Sequence, residues 1–396
     1  MKKILLFALV LFSSTMIAQS WVQQSNALVG RHHPISFALN GKGYAITGTL
    51  PSGLPTSDAY EYDPVADSWS QVTDFPGPSR SFGIGVVADN DKAYLGFGAT
   101  SVQYLKDLWS LDTNGTWTQL ATCPCSGRRH PAMIAIGERI YVGLGDDSSG
   151  DLKDWWMYSI ADDSWTQTAD LPGPPRHHPF MFNAGGEVFA GLGHSRNVIF
   201  RDWYKLDTAT NTWTAMSLFP GEARVAGTQF NMHGYGFVLS GDGDNHGYMS
   251  TGEMWRYNPD TDSWTQFPAH PGESRWAPGS FVIDDDVYFF GGLNRLTSVF
   301  PTDLWKFDMA AATVSMEEEV LSTTYTFPNP ANDILRWEND ETITDVKIFN
   351  TLGQIVLMST AEAGELNTSG LKSGLYSIQF YSNSKVIKSS KVLIQH

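Results

Sequence analysis

Six arginines recur at a regular spacing: Arg31, Arg80, Arg128, Arg176, Arg224 and Arg275. Five follow a tryptophan by eleven residues, and Arg31 follows Trp21 by ten. A guanidinium forks onto carboxylate, sulfate or phosphate groups, so a ring of six is a candidate anion site. The alternative is that the chain's own acids take up the charge: the repeated acids named below, with Glu222 and Glu273 beside two of the arginines. Histidines accompany three of the arginines, in Arg31-His-His-Pro, Arg128-Arg-His-Pro and Arg176-His-His-Pro. His33, His130 and His178, with His32 and His177 beside them, therefore fall next to the same ring. Imidazole titrates near neutral pH and can act as an acid or base. Several imidazoles can also hold a metal ion. The adjacent arginine charges argue against a cation, so neither metal nor cofactor is assigned from sequence.

Other chemistry-bearing residues are less organised. Asp242-Gly-Asp-Asn has part of a calcium-loop spacing but lacks the distal glutamate. It reads, like Asp146-Asp147, as a solvated acidic loop. Trp155, Trp203 and Trp276 are either stacking platforms for sugar rings or buried packing. Cys123 and Cys125 lie in one Cys-Pro-Cys loop. They are no disulfide framework and read as a thiol pair without a role or as a labile redox pair.

The elements that position these residues follow from a repeat. Trp21, Trp69, Trp117, Trp165, Trp213 and Trp264 are spaced by 48, 48, 48, 48 and 51 residues. A period near 50 built of short strands is the mark of a propeller-type repeat. In the first complete unit a strand opens after Arg31, Asn40-Gly41 makes a hairpin turn, and Tyr44 to Thr47 returns. Asp58 to Asp63 and Trp69 to Val72 complete four antiparallel strands. Every unit has a second-strand aromatic: Tyr44, Tyr94, Tyr141, Phe189, Phe237 and Tyr288. Every unit has a third-strand aromatic: Tyr60, Trp109, Trp156, Tyr204, Trp255 and Trp305. Two residues before each stands an acid: Asp58, Asp107, Asp154, Asp202, Glu253 and Asp303. The aromatics are expected to fill the space between neighbouring sheets, and the acids to tie down loops through backbone N–H groups. The sixth unit has three strands and no closing tryptophan. Trp21 is in register to supply its fourth. The expected fold is therefore all-β, a six-bladed propeller closed by the N-terminal strand, with each arginine at the start of an innermost strand.

Composition sets limits. The chain of 396 residues carries a formal net charge of −16, a poor match to nucleic acid phosphates or an anionic membrane surface. Residues 1–18 read as a secretory signal peptide, with Lys2 and Lys3 ahead of the apolar run Ile4 to Phe12. That run is too short to span a bilayer. No later segment is long and apolar enough, so no transmembrane segment is expected in the mature chain.

The repeats resemble the kelch family. The resemblance rests on Tyr94-Leu-Gly-Phe-Gly and Tyr141-Val-Gly-Leu-Gly, on Leu108-Trp-Ser-Leu-Asp112, and on the closing tryptophans, over residues 19–309. The double glycine survives only as Gly291-Gly292. The resemblance implies a binding face at the mouth of the central channel, where the arginines and histidines would converge. Residues 310–326 form a linker. Residues 327–396 change in composition and alternate as half-buried strands, which predicts a small Ig-like β-sandwich. Phe327-Pro-Asn-Pro, Leu352-Gly-Gln and Leu371-Lys-Ser-Gly-Leu-Tyr resemble the C-terminal sorting domain of the Bacteroidetes type IX secretion system. This implies export across both membranes, recognition by the type IX machinery, and a secreted or cell-surface location.

Three functions follow as expectations. The first is a binding module whose channel mouth captures a protein segment or anionic glycan, favoured by uniformly short loops. The second is a sugar mutarotase of the sialic-acid type; the chain lacks that family's large insertion, so no catalytic residue is placed. A copper radical oxidase would need a tyrosine–cysteine pair that two cysteines in one loop do not offer. The third is a structural or adhesive surface protein.

Overall fold

The computed structural model describes residues 21–196, 198–309, 325–328, 330–338, 343–350, 355–360, 364–382 and 385–396. The expected signal peptide and residues 310–324 of the expected linker lie outside these residues; residues 325 and 326 belong instead to the strand Tyr325–Phe327, because they pair with Glu338 and Trp337. The chain forms two compact units, divided between Ala310 and Ala311. Among the described residues no helix is long and apolar enough to cross a membrane.

The first unit consists chiefly of six four-stranded antiparallel sheets. Sheet 1 runs Ile35–Leu39, Lys42–Ile46, Ala59–Asp63 and Ser68–Gln71. Sheets 2 to 5 repeat this order, beginning at Ile84–Ala88, Ala132–Ile136, Phe180–Ala184 and Thr228–Met232. Sheet 6 takes Gly279–Ile283, Asp286–Phe290 and Leu304–Asp308 from the end of the repeats and Val22–Gln24 from the start. Val22 pairs with Lys306 and Gln24 with Leu304.

Apolar side chains of each strand pack between sheets. Ile35, Phe37 and Ile46 of sheet 1 meet Ala93, Leu95 and Leu111 of sheet 2. On the other side of sheet 1, Ala45, Tyr62 and Trp69 meet Phe281, Tyr288 and Phe290 of sheet 6. The periodic tryptophans have a polar task as well as an apolar one. Each indole N–H that finds a partner donates to a carbonyl at the outer strand of the preceding sheet: Trp69 to Ser25, Trp165 to Ala121, Trp213 to Ala169, and Trp21 to Pro268. A buried indole needs such an acceptor.

Sheets are also joined near the inner strands. Gly48, Gly98, Gly145, Gly193, Gly241 and Gly292 donate their N–H to the carbonyls of Arg80, Arg128, Arg176, Arg224, Arg275 and Arg31 respectively. Gly98 has φ +84°, and a Cβ there would lie 2.3 Å from the Ser81 carbonyl oxygen. Only glycine fits that approach. The residue before it, Phe97, is itself left-handed, as are Thr47, Leu144, Leu192 and Ser240 in the other sheets. These five stand where Gly291 stands in the one surviving double glycine.

Cys123 and Cys125 are joined as a disulfide within their loop, and both are buried. The reading of a loop thiol pair is corrected accordingly.

The second unit has a three-stranded sheet, Tyr325–Phe327, Ile334–Glu338 and Glu365–Asn367. Its four-stranded sheet has the order Ile355–Thr360, Asp345–Phe349, Gly374–Ser382, Lys385–Ile394. Leu335, Trp337 and Leu366 from the first pack with Val346, Ile348, Ile378 and Phe380 from the second.

Trp21 is buried against Phe289 and Phe307 of sheet 6, and so holds the N-terminal strand in place. Trp21→Ala is expected to cost about 3 kcal/mol or more, the usual range for a buried aromatic. Val22→Ala, at an exposed position, is expected to stay within about 0.5 kcal/mol. Guanidinium melts of the two variants against wild type test this.

Candidate functional site

The six ring arginines are buried, four of them completely. Each is held by the acid of its own sheet, 26 to 29 residues on. Arg80 donates from Nη1 to Asp107 Oδ1 at 2.8 Å and from Nη2 to Asp107 Oδ2 at 2.6 Å. Arg31, Arg128, Arg176 and Arg275 make the same fork on Asp58, Asp154, Asp202 and Asp303. Arg224 reaches Glu253 Oε2 through Nη2 alone, at 2.5 Å. Nη1 of the five forked arginines also donates to a carbonyl at or just beyond the end of the second strand, such as Leu144 for Arg128.

The acids are further fixed by the aromatic two residues on. Trp109, Trp156, Trp255 and Trp305 donate from Nε1, and Tyr204 from its hydroxyl, to Asp107, Asp154, Glu253, Asp303 and Asp202. The repeated acids thus tie a guanidinium and an aromatic donor, not the backbone N–H groups expected from sequence. Burial pushes the carboxyls of Asp107, Asp154, Asp303 and Glu253 up, but the paired arginines and aromatic N–H donors outweigh it and hold them below the usual range. The ring is therefore a set of internal staples. Glu222 and Glu273 are not the partners: Glu222 accepts from Asp244 N, and Glu273 from Asn294.

The histidines do converge. The residue two after each ring arginine is His33, Phe82, His130, His178, Ala226 or Ala277, and all six have φ between 50° and 64°. This left-handed register turns the chain sharply before each innermost strand. His33 N donates to Ala277 O, His130 N to Phe82 O and Ala277 N to Ala226 O, so these positions of different sheets lie side by side. The His33 and His178 Nε2 atoms are 3.0 Å apart. The His130 and His178 ring centroids are 3.6 Å apart. Phe82 packs on both His33 and His130.

Around this trio stands a second layer. His32 Nδ1 lies 2.7 Å from His33 Nδ1, Asp146 Oδ1 lies 3.0 Å from His130 Nδ1, and His194 Nε2 lies 3.4 Å from His178 Nδ1. Arg129 is bound to the other oxygen of Asp146, and His177 to Asp151 at 2.5 Å. His246 stacks edge-on to His194. Burial pushes His33, His130 and His178 well below the ordinary imidazole pKa, with neighbouring imidazoles adding to the effect; His32 and His194 fall to about 4 for the same leading reason. These five rings are neutral at physiological pH.

The trio lines one part of a cavity of about 390 Å³ walled by the first strands of all six sheets. Ser36, Asn183, Thr228, Gln229, Asn231 and Ser280 give it a polar lining. Asp146 and Asp242 are buried rather than solvated, Asp242 beside Arg295 Nε at 2.7 Å. Trp155 and Trp203 are fully buried packing residues, whereas Trp276 lies against His32 and His33 beneath Arg295. His194, His246 and Arg295 were missed because they come from the segments between second and third strands, which share no residue pattern from unit to unit. The fixed offset from arginine to acid was visible in the sequence and identifies the staples.

Stapled sheets of one pattern, repeated along the chain, define a repetitive β-protein whose chemistry is gathered at the inner strands. Residues 32–233, just over half of the chain, match the KLHDC2/KLHL20/DRC7 Kelch-repeats domain, and the protein belongs to the kelch-repeat family. Residues 325–395 match the secretion system C-terminal sorting domain, which marks the chain for export. No curated protein matches the chain.

Two outcomes test the electrostatics. Arg176→Met leaves Asp202 half-buried and unpaired and is expected to destabilise by about 3–5 kcal/mol, whereas Arg176→Met with Asp202→Leu is expected to recover most of that. Denaturant melts of the three proteins measure it. His270 is buried against Phe289, and burial takes its pKa to about 3. The unfolded chain therefore takes up this proton first, so stability falls as pH drops from about 6.5 towards 3. His270→Gln is expected to remove close to one proton, about 1.4 kcal/mol per pH unit, from that slope. Melts from pH 7 to pH 4 give the difference.

Proposed function

We propose that this is an exported binding module: a six-bladed propeller over residues 19–309, closed by Val22–Gln24, that captures a protein segment at the face bearing His33, His130 and His178. Residues 1–18 act as its signal peptide, residues 310–324 as a linker, and residues 325–396 as an Ig-like sorting domain read by the type IX machinery. The module works outside the cell or on its surface.

The observation that carries this reading is the distribution of exposed apolar side chains. Of the ten large ones exposed within the described part of residues 21–309, six lie in segments joining second to third strands: Leu54, Val102, Val198, Tyr248, Leu296 and Val299. The same segments supply His194, His246 and Arg295. We read these connections as an apolar rim to the polar cavity, the arrangement of a protein-contact surface. An extended segment can lie across the rim and present one end to the cavity. An anionic glycan held by the ring arginines has lost its support, because all six guanidiniums are already bound to carboxylates, five of them as forks.

Selection of a random peptide display library on the chain of residues 19–396 tests this. The expected result is a consensus segment whose binding weakens at least about tenfold in Leu54→Asp/Val102→Asp/Val198→Asp. Val65→Asp/Leu218→Asp, exposed apolar positions outside these segments, is expected to leave it unchanged. A consensus indifferent to the first variant, or none at all, overturns the reading.

A further inference from the structure

We propose that His33, His130 and His178 form a three-imidazole site for a divalent late-transition-metal ion, with Zn²⁺ as the probe ion. The inference does not depend on the protein-capture reading. The fold does not require histidine at these positions. The same left-handed register is filled by Phe82, Ala226 and Ala277 in the other three sheets. Three imidazoles at three of six equivalent positions therefore need a reason other than backbone geometry.

The ligand atoms are close enough. One ring nitrogen from each of the three lies within 4.8 Å of the others, and the His33 and His178 Nε2 atoms face each other at 3.0 Å. Two nitrogens bound to one tetrahedral ion at about 2.0–2.1 Å sit roughly 3.3 Å apart. A small opening of the pair admits an ion. His130 Nε2 is buried and has no hydrogen-bond partner. A buried polar nitrogen left bare asks for an explanation, and a metal ligand is one.

The outer hydrogen bonds set the tautomers. His130 Nδ1 faces Asp146 Oδ1, which can only accept, so the proton sits on Nδ1 and the Nε2 lone pair is free. His194 Nδ1 faces the Arg196 carbonyl and must donate to it. Its Nε2 is then an acceptor for His178 Nδ1–H, which frees His178 Nε2. His33 Nε2 shares a hydrogen with His178 Nε2, so in the ion-free chain His33 donates from Nε2 and accepts at Nδ1 from His32. The Nε2 lone pairs of His130 and His178 are thereby available, and that of His33 becomes so when the His32–His33 hydrogen bond reverses and His33 carries its proton on Nδ1. A ligand imidazole whose far nitrogen is held by a carboxylate, carbonyl or second ring is the usual outer arrangement of a metal site.

Carboxylates offset the arginine charge beside the trio, although Arg129 and Arg295 still act on His33. Arg31, Arg128 and Arg176 are each forked onto a carboxylate, and Arg129 is paired with Asp146. The three ligands line the cavity, so a fourth donor, water or a group of a bound molecule, can enter from it. Three protein ligands with an open position are the pattern of reactive zinc sites.

The test uses the chain of residues 19–396 without a polyhistidine tag, stripped with chelator and titrated calorimetrically with ZnCl₂. The expected result is one equivalent bound per chain. His130→Ala and His178→Ala should each weaken binding by at least about 100-fold, and Asp146→Asn by about 10- to 100-fold. His233→Ala, an exposed imidazole, should bind as wild type. A folded wild type that takes up no stoichiometric zinc overturns the proposal. So does undiminished binding by the His130 and His178 variants. If those variants fail to fold, X-ray absorption of the wild-type Co²⁺ form decides. A first shell with three imidazole nitrogens supports the site, and any other shell rejects it.

Discussion

The fork between a buried arginine and the acid of its own sheet is the constraint on which the rest depends. A guanidinium taken out of water must be matched by a carboxylate and further acceptors, or the sheet does not form. In each forked sheet there are two bonds to the acid and one to a carbonyl near the end of the second strand, and in sheets 2, 3, 4 and 6 an aromatic donor also binds the acid. The arginine's own carbonyl then accepts a glycine N–H from the preceding sheet. One residue thus fixes the interior of its sheet and the seam beside it. Loss of either partner strands a charge in a buried place.

That arrangement also delivers the histidines. With the arginine immobile, the residue two positions on has a defined direction. It is turned by a left-handed backbone into the space that the sheets share. Whatever side chain stands there is presented to its counterparts in the other sheets. The staples are the frame, and the residues at the next-but-one position are the variable content: imidazole in three sheets, phenyl in one, methyl in two.

Much of this was legible in the sequence, and the failures have physical causes. The tryptophan period read correctly because the indole packs at the same register in each unit, and in four of the six its N–H also finds a carbonyl in the neighbouring sheet. The pairing of Trp21's strand with the last sheet was readable from its register alone. The acids were located, and their pairing with the ring arginines was one of the readings the sequence offered; the other, a tie to backbone N–H groups, is the one that fails. An aspartate at the foot of a strand commonly binds backbone N–H groups, and the narrow range of its distance from an arginine, 26 to 29 residues, points elsewhere. The histidine trio was seen as three adjacent motifs. Its outer layer was not, since His194 and Asp146 enter from segments whose path is set by local turns. The five left-handed residues that replace the first glycine of the pair hid the double-glycine register, because Thr47 or Leu144 carries no mark of such a conformation.

The pairing of Val22–Gln24 with Leu304–Asp308 joins the two ends of the repeat region in one sheet. A chain that emerges N-terminus first must hold its opening strand in waiting until nearly 300 residues have followed. Until then the last sheet has a bare edge, open to pairing with any other extended chain. Directly after that edge strand, in sequence, come the residues that lead to the sorting domain. Completion of the repeat region and appearance of the export signal are therefore events of the same moment in the life of the chain. A molecule that bears the signal is one in which every strand of the six sheets has been made.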